Sequence, residues 1–302
     1  MSAKVKRIIL VWFLCITLVL STAVIGYAYS GILSFGDSLS DNGYYQGYYG
    51  GTAGNTNPAD IYGIMRFSDG PVWLEYMAQS YGVPLLDMAY GGATTSYDNP
   101  AVGLTITGLQ WQVDAYKTFV SASIPSGTLV TVWAGANDFL QGRPFVTAAA
   151  NVTSAIQELA DAGGQNFLVP FLPDIGLTPA FLGTPLQGTA TGWSQAFNTS
   201  LWLDLLALES INPEINCYVL DTFTLLRDVI ANPSSYGFTN VTSDGGGNPP
   251  EGYLFWDGIH PTTDGHLLIA NSDWVSVPEP ATILLLGLGM MGLAGIRRKF
   301  QK

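Results

Sequence analysis

Five short apolar runs, at residues 31–35, 84–88, 129–133, 166–171 and 215–220, constrain this chain more than any other feature. Each has the length of a strand and lacks clean alternation of apolar and polar side chains, the pattern of a strand buried on both faces. Longer stretches with helical spacing lie at 72–81, 110–120, 146–162 and 192–210. In the last of them Trp193, Phe197, Leu201, Leu205 and Leu208 form one stripe, which reads as core. Strands alternating with helices predict an α/β fold, a three-layer α/β/α arrangement around a parallel, roughly five-stranded sheet. Ligands of such sheets sit beyond the carboxyl ends of the strands. Ser38 follows the first run directly and is expected at that edge.

The two ends have a different character. Lys4, Lys6 and Arg7 precede an apolar stretch at 8–20, and Ala28-Tyr29-Ser30 offers small residues at an export cleavage site before Gly31. Residues 1–30 therefore read as a signal peptide. At the other end Val277-Pro278-Glu279-Pro280 leads into an apolar run at 281–296 and a basic end at 297–302. That run is short for a spanning helix, and its cationic flank would stay on the cytoplasmic side. The tail, 274–302, leaves a body of residues 31–273, large enough for one domain with an ample core.

The body carries 22 acidic and 4 basic side chains, a net charge of −18. Such a surface repels nucleic acid and anionic membranes. Nucleic acid is thus not an expected partner, and membrane contact is expected only transiently, through the terminal segments. Of the two cysteines, Cys15 lies in the leader, so Cys217 would be alone in the mature chain. It sits in a strand-like run and reads as a packed, inert thiol. Two histidines and two cysteines are too few for a zinc site, and neither metal nor cofactor is expected.

Two distant segments carry the chemistry. One is Phe35-Gly36-Asp37-Ser38-Leu39-Ser40-Asp41-Asn42-Gly43, and the other is Asp257-Gly258-Ile259-His260-Pro261. They supply a serine, a histidine and an acid. A serine hydroxyl needs an adjacent base to take its proton, and a carboxylate orients the imidazole and steadies the imidazolium. His260 and His266 are the only histidines. Between these segments lie Arg66-Phe67-Ser68-Asp69-Gly70-Pro71-Val72-Trp73, Ala89-Tyr90-Gly91-Gly92-Ala93-Thr94 and Gly135-Ala136-Asn137-Asp138. No Gly-x-Ser-x-Gly elbow surrounds Ser38, which argues against the ordinary α/β-hydrolase fold.

This series of blocks, in this order, resembles the GDSL, or SGNH, family of lipases and esterases over roughly residues 31–272. The resemblance implies that Ser38 is the nucleophile, His260 the base and Asp257 its orienting acid. It further implies that the Ser38 and Gly92 N–H groups and the Asn137 amide form an oxyanion hole. Ser38 is expected to open a helix whose N-terminal N–H groups add positive potential. His266 and Asp37 are expected to serve structure. The tail resembles the PEP-CTERM sorting signal of Gram-negative bacteria, which implies an exosortase-type processing partner. The expected protein is an exported serine esterase or lipase that acts on small-molecule, lipid or glycan acyl esters. Its expected location is the outer surface or the medium, after transient retention in the inner membrane. The alternative from another class is a catalytically idle surface protein that binds glycan or matrix, a reading suggested by the sorting tail and by aromatic loops such as 44–57.

Overall fold

The computed structural model describes residues 29–43, 66–100, 106–272 and 275–276. The leader through residue 28, the aromatic loop at 44–57 and the tail from residue 277 lie outside the described residues. The apolar runs become strands β1 (Gly31–Gly36), β2 (Leu85–Asp87), β3 (Thr128–Trp133), β4 (Asn166–Pro170) and β5 (Asn216–Leu220). They pair in the order β2-β1-β3-β4-β5, all parallel. The register aligns Leu33 with Leu86 and Val130, and Thr131 with Leu168. A two-residue segment, β6 (Val275–Ser276), adds an antiparallel edge to β5. The sheet therefore reaches residue 276, three residues beyond the expected body limit at 273.

The helices are α1 (Trp73–Tyr81), α2 (Leu109–Ala115), α3 (Ala136–Leu140), α4 (Phe145–Asp161), α5 (Gln187–Ile211), α6 (Thr222–Ala231) and α7 (Thr263–Ala270). A π-helical turn, Tyr116–Val120, continues α2. Side chains alternate between the faces of a strand, and two aromatic pairs use that alternation to fix the layers. Phe35, aligned with Val132, packs edge-on against Tyr116 beyond α2. Trp133, the next residue on β3, packs edge-on against Trp73 of α1. The α2 and α1 sides thus cover opposite faces. Helices α2, α4 and α5 pack together, as α1 and α7 do. Phe197, Leu201, Leu205 and Leu208 on α5 are buried in the core, as their spacing predicts. A smaller apolar cluster, including Leu225, Val229 and Leu254, joins α6 to the segment that precedes α7.

The first correction concerns Ser38. It does not open a helix: residues 38–40 form a turn after β1. No helix dipole therefore points at its hydroxyl. The turn is held instead by Asp37, whose carbonyl accepts from the Ser40 and Asp41 N–H groups at 3.0 Å each.

Candidate active site

The carboxyl edge of the sheet collects the sequence blocks, each for a local reason. β1 ends at Gly36, where a Cβ would lie 2.3 Å from the Trp133 carbonyl oxygen, so only glycine lets β1 run this close to β3. The chain turns at once into Asp37 and Ser38. Asp41 then clamps two loops: one carboxylate oxygen accepts from the Gly43 N–H at 2.8 Å, the other from the Gly91 N–H at 2.7 Å. Asp87, at the end of β2, accepts from the Asn42 N–H at 3.0 Å and the Ala89 N–H at 3.1 Å. The loop after β2 continues through Gly92, whose φ of +81° suits glycine. The loop after β3 leads into α3, which carries Asn137 and Asp138. Asp138 accepts from the Thr95 N–H and hydroxyl at 2.8 and 2.9 Å, locking the two loops together.

The base arrives from the far end of the chain. Asp69 accepts from the Thr263 N–H at 2.7 Å, which docks the start of α7 against the second sequence block. Thr262 caps α7 by accepting from the Gly265 N–H. The Trp256 N–H donates to the His260 carbonyl at 2.9 Å and closes the loop that carries the imidazole. Phe67 lies with its ring centroid 4.8 Å from that of His260, and Trp256 at 6.3 Å. These contacts leave the ring little freedom.

His260 Nε2 is 2.7 Å from Ser38 Oγ, and Nδ1 is 2.7 Å from Asp257 Oδ2. The other Asp257 oxygen accepts from the Ile259 and His260 N–H groups at 2.8 and 2.7 Å. Burial pushes the Asp257 carboxyl upward, yet the His260 hydrogen bond and charge together with these backbone donors hold it below the ordinary range. The carboxylate therefore stays charged where it faces the imidazole.

Ser38, Asn137 and His260 line one pocket, with Leu140, Ile175 and Phe181 among its apolar walls. Neither the Ser38 N–H nor the Gly92 N–H has a hydrogen-bond partner among the described residues. Asn137 Nδ2 donates to the Ala93 carbonyl at 3.0 Å and lies 3.5 Å from Asp37 Oδ2. The amide is thereby tied to the residue after Gly92. Gly92 itself does not border the pocket.

His266 falls elsewhere. It is fully buried on α7, and both ring nitrogens lack a partner among the described residues. Burial, with a smaller contribution from His260, pushes its pKa down to about 3, so the ring is neutral. Asp37 is buried, its carboxylate accepting from the Leu39 N–H at 3.1 Å. Cys217 is a free, buried thiol, and burial raises its pKa. Sequence reasoning assigned no role to Asp41, Asp69, Phe67, Asp138 or Trp256. All but Trp256 lie inside the quoted blocks, which was the available signal.

Proteins of known sequence resemble this chain over most of its length. The chain is 27% identical over 264 residues to a thermolabile hemolysin of Vibrio parahaemolyticus, covering 79% of this chain and 62% of that protein. It is 29% identical over 327 residues to the esterase EstA of Pseudomonas aeruginosa, covering 85% and 48%. It is 26% identical over 325 residues to a phosphatidylcholine-sterol acyltransferase of Aeromonas hydrophila, covering 86% and 94%. The chain thus spans about half to three fifths of the first two. Among solved structures, an alpha/beta hydrolase enzyme from the metagenome of Lake Arreo superposes with a TM-score of 0.50 at 13% identity, covering 82% of this chain and 95% of that one, which bears on the fold alone. The PEP-CTERM protein-sorting motif matches residues 276–299, so the tail is that sorting signal. The model of the GDSL-like lipase/acylhydrolase family matches residues 32–272, the whole of the body from β1 to the end of α7, and the chain belongs to that family.

Proposed function

We propose that this protein is an exported serine hydrolase that cleaves carboxylic esters through an acyl-enzyme. The observation that carries the reading is the relay from Ser38 Oγ through His260 to Asp257, with both contacts at 2.7 Å. In the proposed first half, His260 Nε2 takes the Ser38 proton as Oγ bonds to the ester carbonyl carbon. The carbonyl electrons move to the oxygen, which the Ser38 and Gly92 N–H groups and the Asn137 amide receive. The tetrahedral adduct collapses, the ester C–O bond breaks, and His260 gives its proton to the departing alcohol. In the second half water loses a proton to His260, attacks the acyl carbon and releases the acid, returning the proton to Ser38. Relatives named as an esterase and as an acyltransferase fit one acyl-enzyme resolved by different acceptors.

The sorting motif supports export from a Gram-negative bacterium. In this reading an exosortase-type enzyme removes the tail at the inner membrane, and the acidic body reaches the surface or the medium. Replacing the nucleophile tests the enzymatic half. Hydrolysis of a simple ester by purified Ser38→Ala should fall to on the order of a millionth of wild type in kcat, with the far-ultraviolet circular dichroism unchanged. Near wild-type turnover would refute the mechanism.

A further inference from the structure

Asp37 borders the catalytic pocket beside Ser38, Asn137 and His260, yet the proposed relay makes no use of its carboxyl. The side chain is buried. Its Oδ1 accepts from the Leu39 N–H at 3.1 Å, and its Oδ2 lies 3.5 Å from Asn137 Nδ2. An amide nitrogen of this kind carries two hydrogens. The Ala93 carbonyl takes one of them at 3.0 Å. The other is the hydrogen that the oxyanion needs, and Asp37 Oδ2 competes for it. A charged carboxylate holds an N–H about twice as strongly as a neutral group does. Ionised Asp37 therefore draws the Asn137 amide away from the oxyanion. It also places a negative charge beside the one that the transition state develops. Neutral Asp37 releases the amide far more cheaply.

The surroundings favour the neutral form. Burial raises the Asp37 carboxyl to about 7, with the Asp138 and Asp41 charges adding to the rise and the Leu39 N–H opposing it. Asp41 shares its turn. Asp138 comes from α3, with Arg143 4.0 Å from its carboxylate. Asp87 ends β2, bound to the Asn42 and Ala89 N–H groups. Asp174 follows β4 and pairs with Arg227 at 2.6 Å. His260 and Asp257 enter from the loop before α7, bound to each other. No basic side chain among the described residues pairs with Asp37 to hold it ionised.

We infer that Asp37 is a positioning residue, whose protonated form frees the Asn137 amide for the oxyanion and whose ionised form withdraws it. The inference rests on Ser38 as the nucleophile and on Asn137 as a donor to the oxyanion. Turnover should then be lost on the alkaline side as Asp37 ionises. Its floor is the rate left when Asn137 is removed, about 100- to 1000-fold lower.

The test is the pH dependence of kcat and KM of the full-length protein on p-nitrophenyl acetate, from pH 6 to pH 9. Wild type, Asp37→Asn and Asn137→Ala are compared, with the fold checked by circular dichroism at each pH. Wild-type kcat should fall by about tenfold or more from pH 7 to pH 9, while KM moves little. Asp37→Asn keeps an acceptor for the Leu39 N–H and cannot ionise, so its kcat at pH 9 should stay within about twofold of that at pH 7. Asn137→Ala should be slow and equally flat, because no amide remains for Asp37 to withdraw. If Asp37→Asn fails to fold, the Asn137→Ala profile decides. A wild-type kcat that holds to pH 9 overturns the inference and leaves the Ser38 mechanism standing. An alkaline fall that persists in folded Asp37→Asn, or in Asn137→Ala, does the same. Wild-type turnover in Asn137→Ala removes the donor and the inference together, again without touching Ser38. No hydrolysis by wild type at any pH would refute the mechanism and the inference with it.

Discussion

Asp37 and Asp257 are carboxylates on either side of the same relay, and their surroundings push them in opposite directions. Burial raises Asp37 to about 7, with Asp138 and Asp41 adding to the rise against the Leu39 N–H. Its folded pKa lies above the unfolded one, so the folded state binds the proton more tightly between about 4 and about 7. Stability from this group is present at the acid end of that window and is lost as pH rises through it. Asp87 and Asp138 are shifted the same way by burial. Asp257, lowered by His260 and its backbone donors, acts with the opposite sign: its contribution is present above the ordinary carboxylate range and fades as pH falls below it. Melting temperature should therefore decline from pH 5 to pH 7.5, and Asp37→Asn should flatten that decline. Thermal melts at the two pH values check this, and an unchanged slope in Asp37→Asn would place the effect elsewhere. Asn137 acts on rate rather than on stability. Its proposed charge interaction exists only in the transition state, so Asn137→Ala should lower kcat by about 100- to 1000-fold with little change in KM. Steady-state kinetics separate this from a role in binding substrate, which would raise KM instead.

At the scale of elements, the blocks work because buried aspartates join loops that are distant in sequence. Asp41 ties the turn after β1 to Gly91, and Asp138 ties α3 to Thr95. Asp41→Ala strands the Gly43 and Gly91 donors, each costing about 1–3 kcal/mol if it stays buried. It should lower the unfolding free energy and kcat together, and urea denaturation beside ester kinetics would show both. A variant as stable and as active as wild type would mean that the clamp is idle. The strands were legible because runs buried on both faces stand out as continuous apolar sequence, and all five fall within a few residues of their predicted limits. Helix α6 was not, since Asp221 follows β5 directly and Thr222-Phe223-Thr224 reads as more strand. Only the cap reveals it, with the Asp221 carboxylate accepting from the Thr224 N–H at 2.9 Å. Helix α3 has five residues, too few for periodicity to register. The turn at Ser38 was misread as a helix start because Asp-Ser before Leu has the composition of an N-cap. Its hydrogen bonds go instead to the Asp37 carbonyl. That Ser38, His260 and Asp257 meet in space was legible because two histidines leave few choices, whereas the Phe67 and Trp256 contacts come from tertiary packing that spacing does not encode.

Across the whole molecule, the family match over residues 32–272 and the sorting motif over 276–299 occupy separate stretches of the chain. Every proposed catalytic residue lies between 38 and 260, and the described core closes with α7 and the short β6 edge. The matched sorting motif begins at 276, where that edge ends. The exported protein should therefore lack residues 281–302 and remain active, and its intact mass reports this directly. A mass that retains the tail would favour a permanent anchor without touching the catalysis. One further step on the same sample reaches the central claim, that His260 and Asp257 activate Ser38. Treatment with a fluorophosphonate probe followed by peptide mapping should find a single adduct on Ser38, and His260→Ala should abolish it. A folded protein that takes up no probe, or takes it up on another residue, would contradict the account.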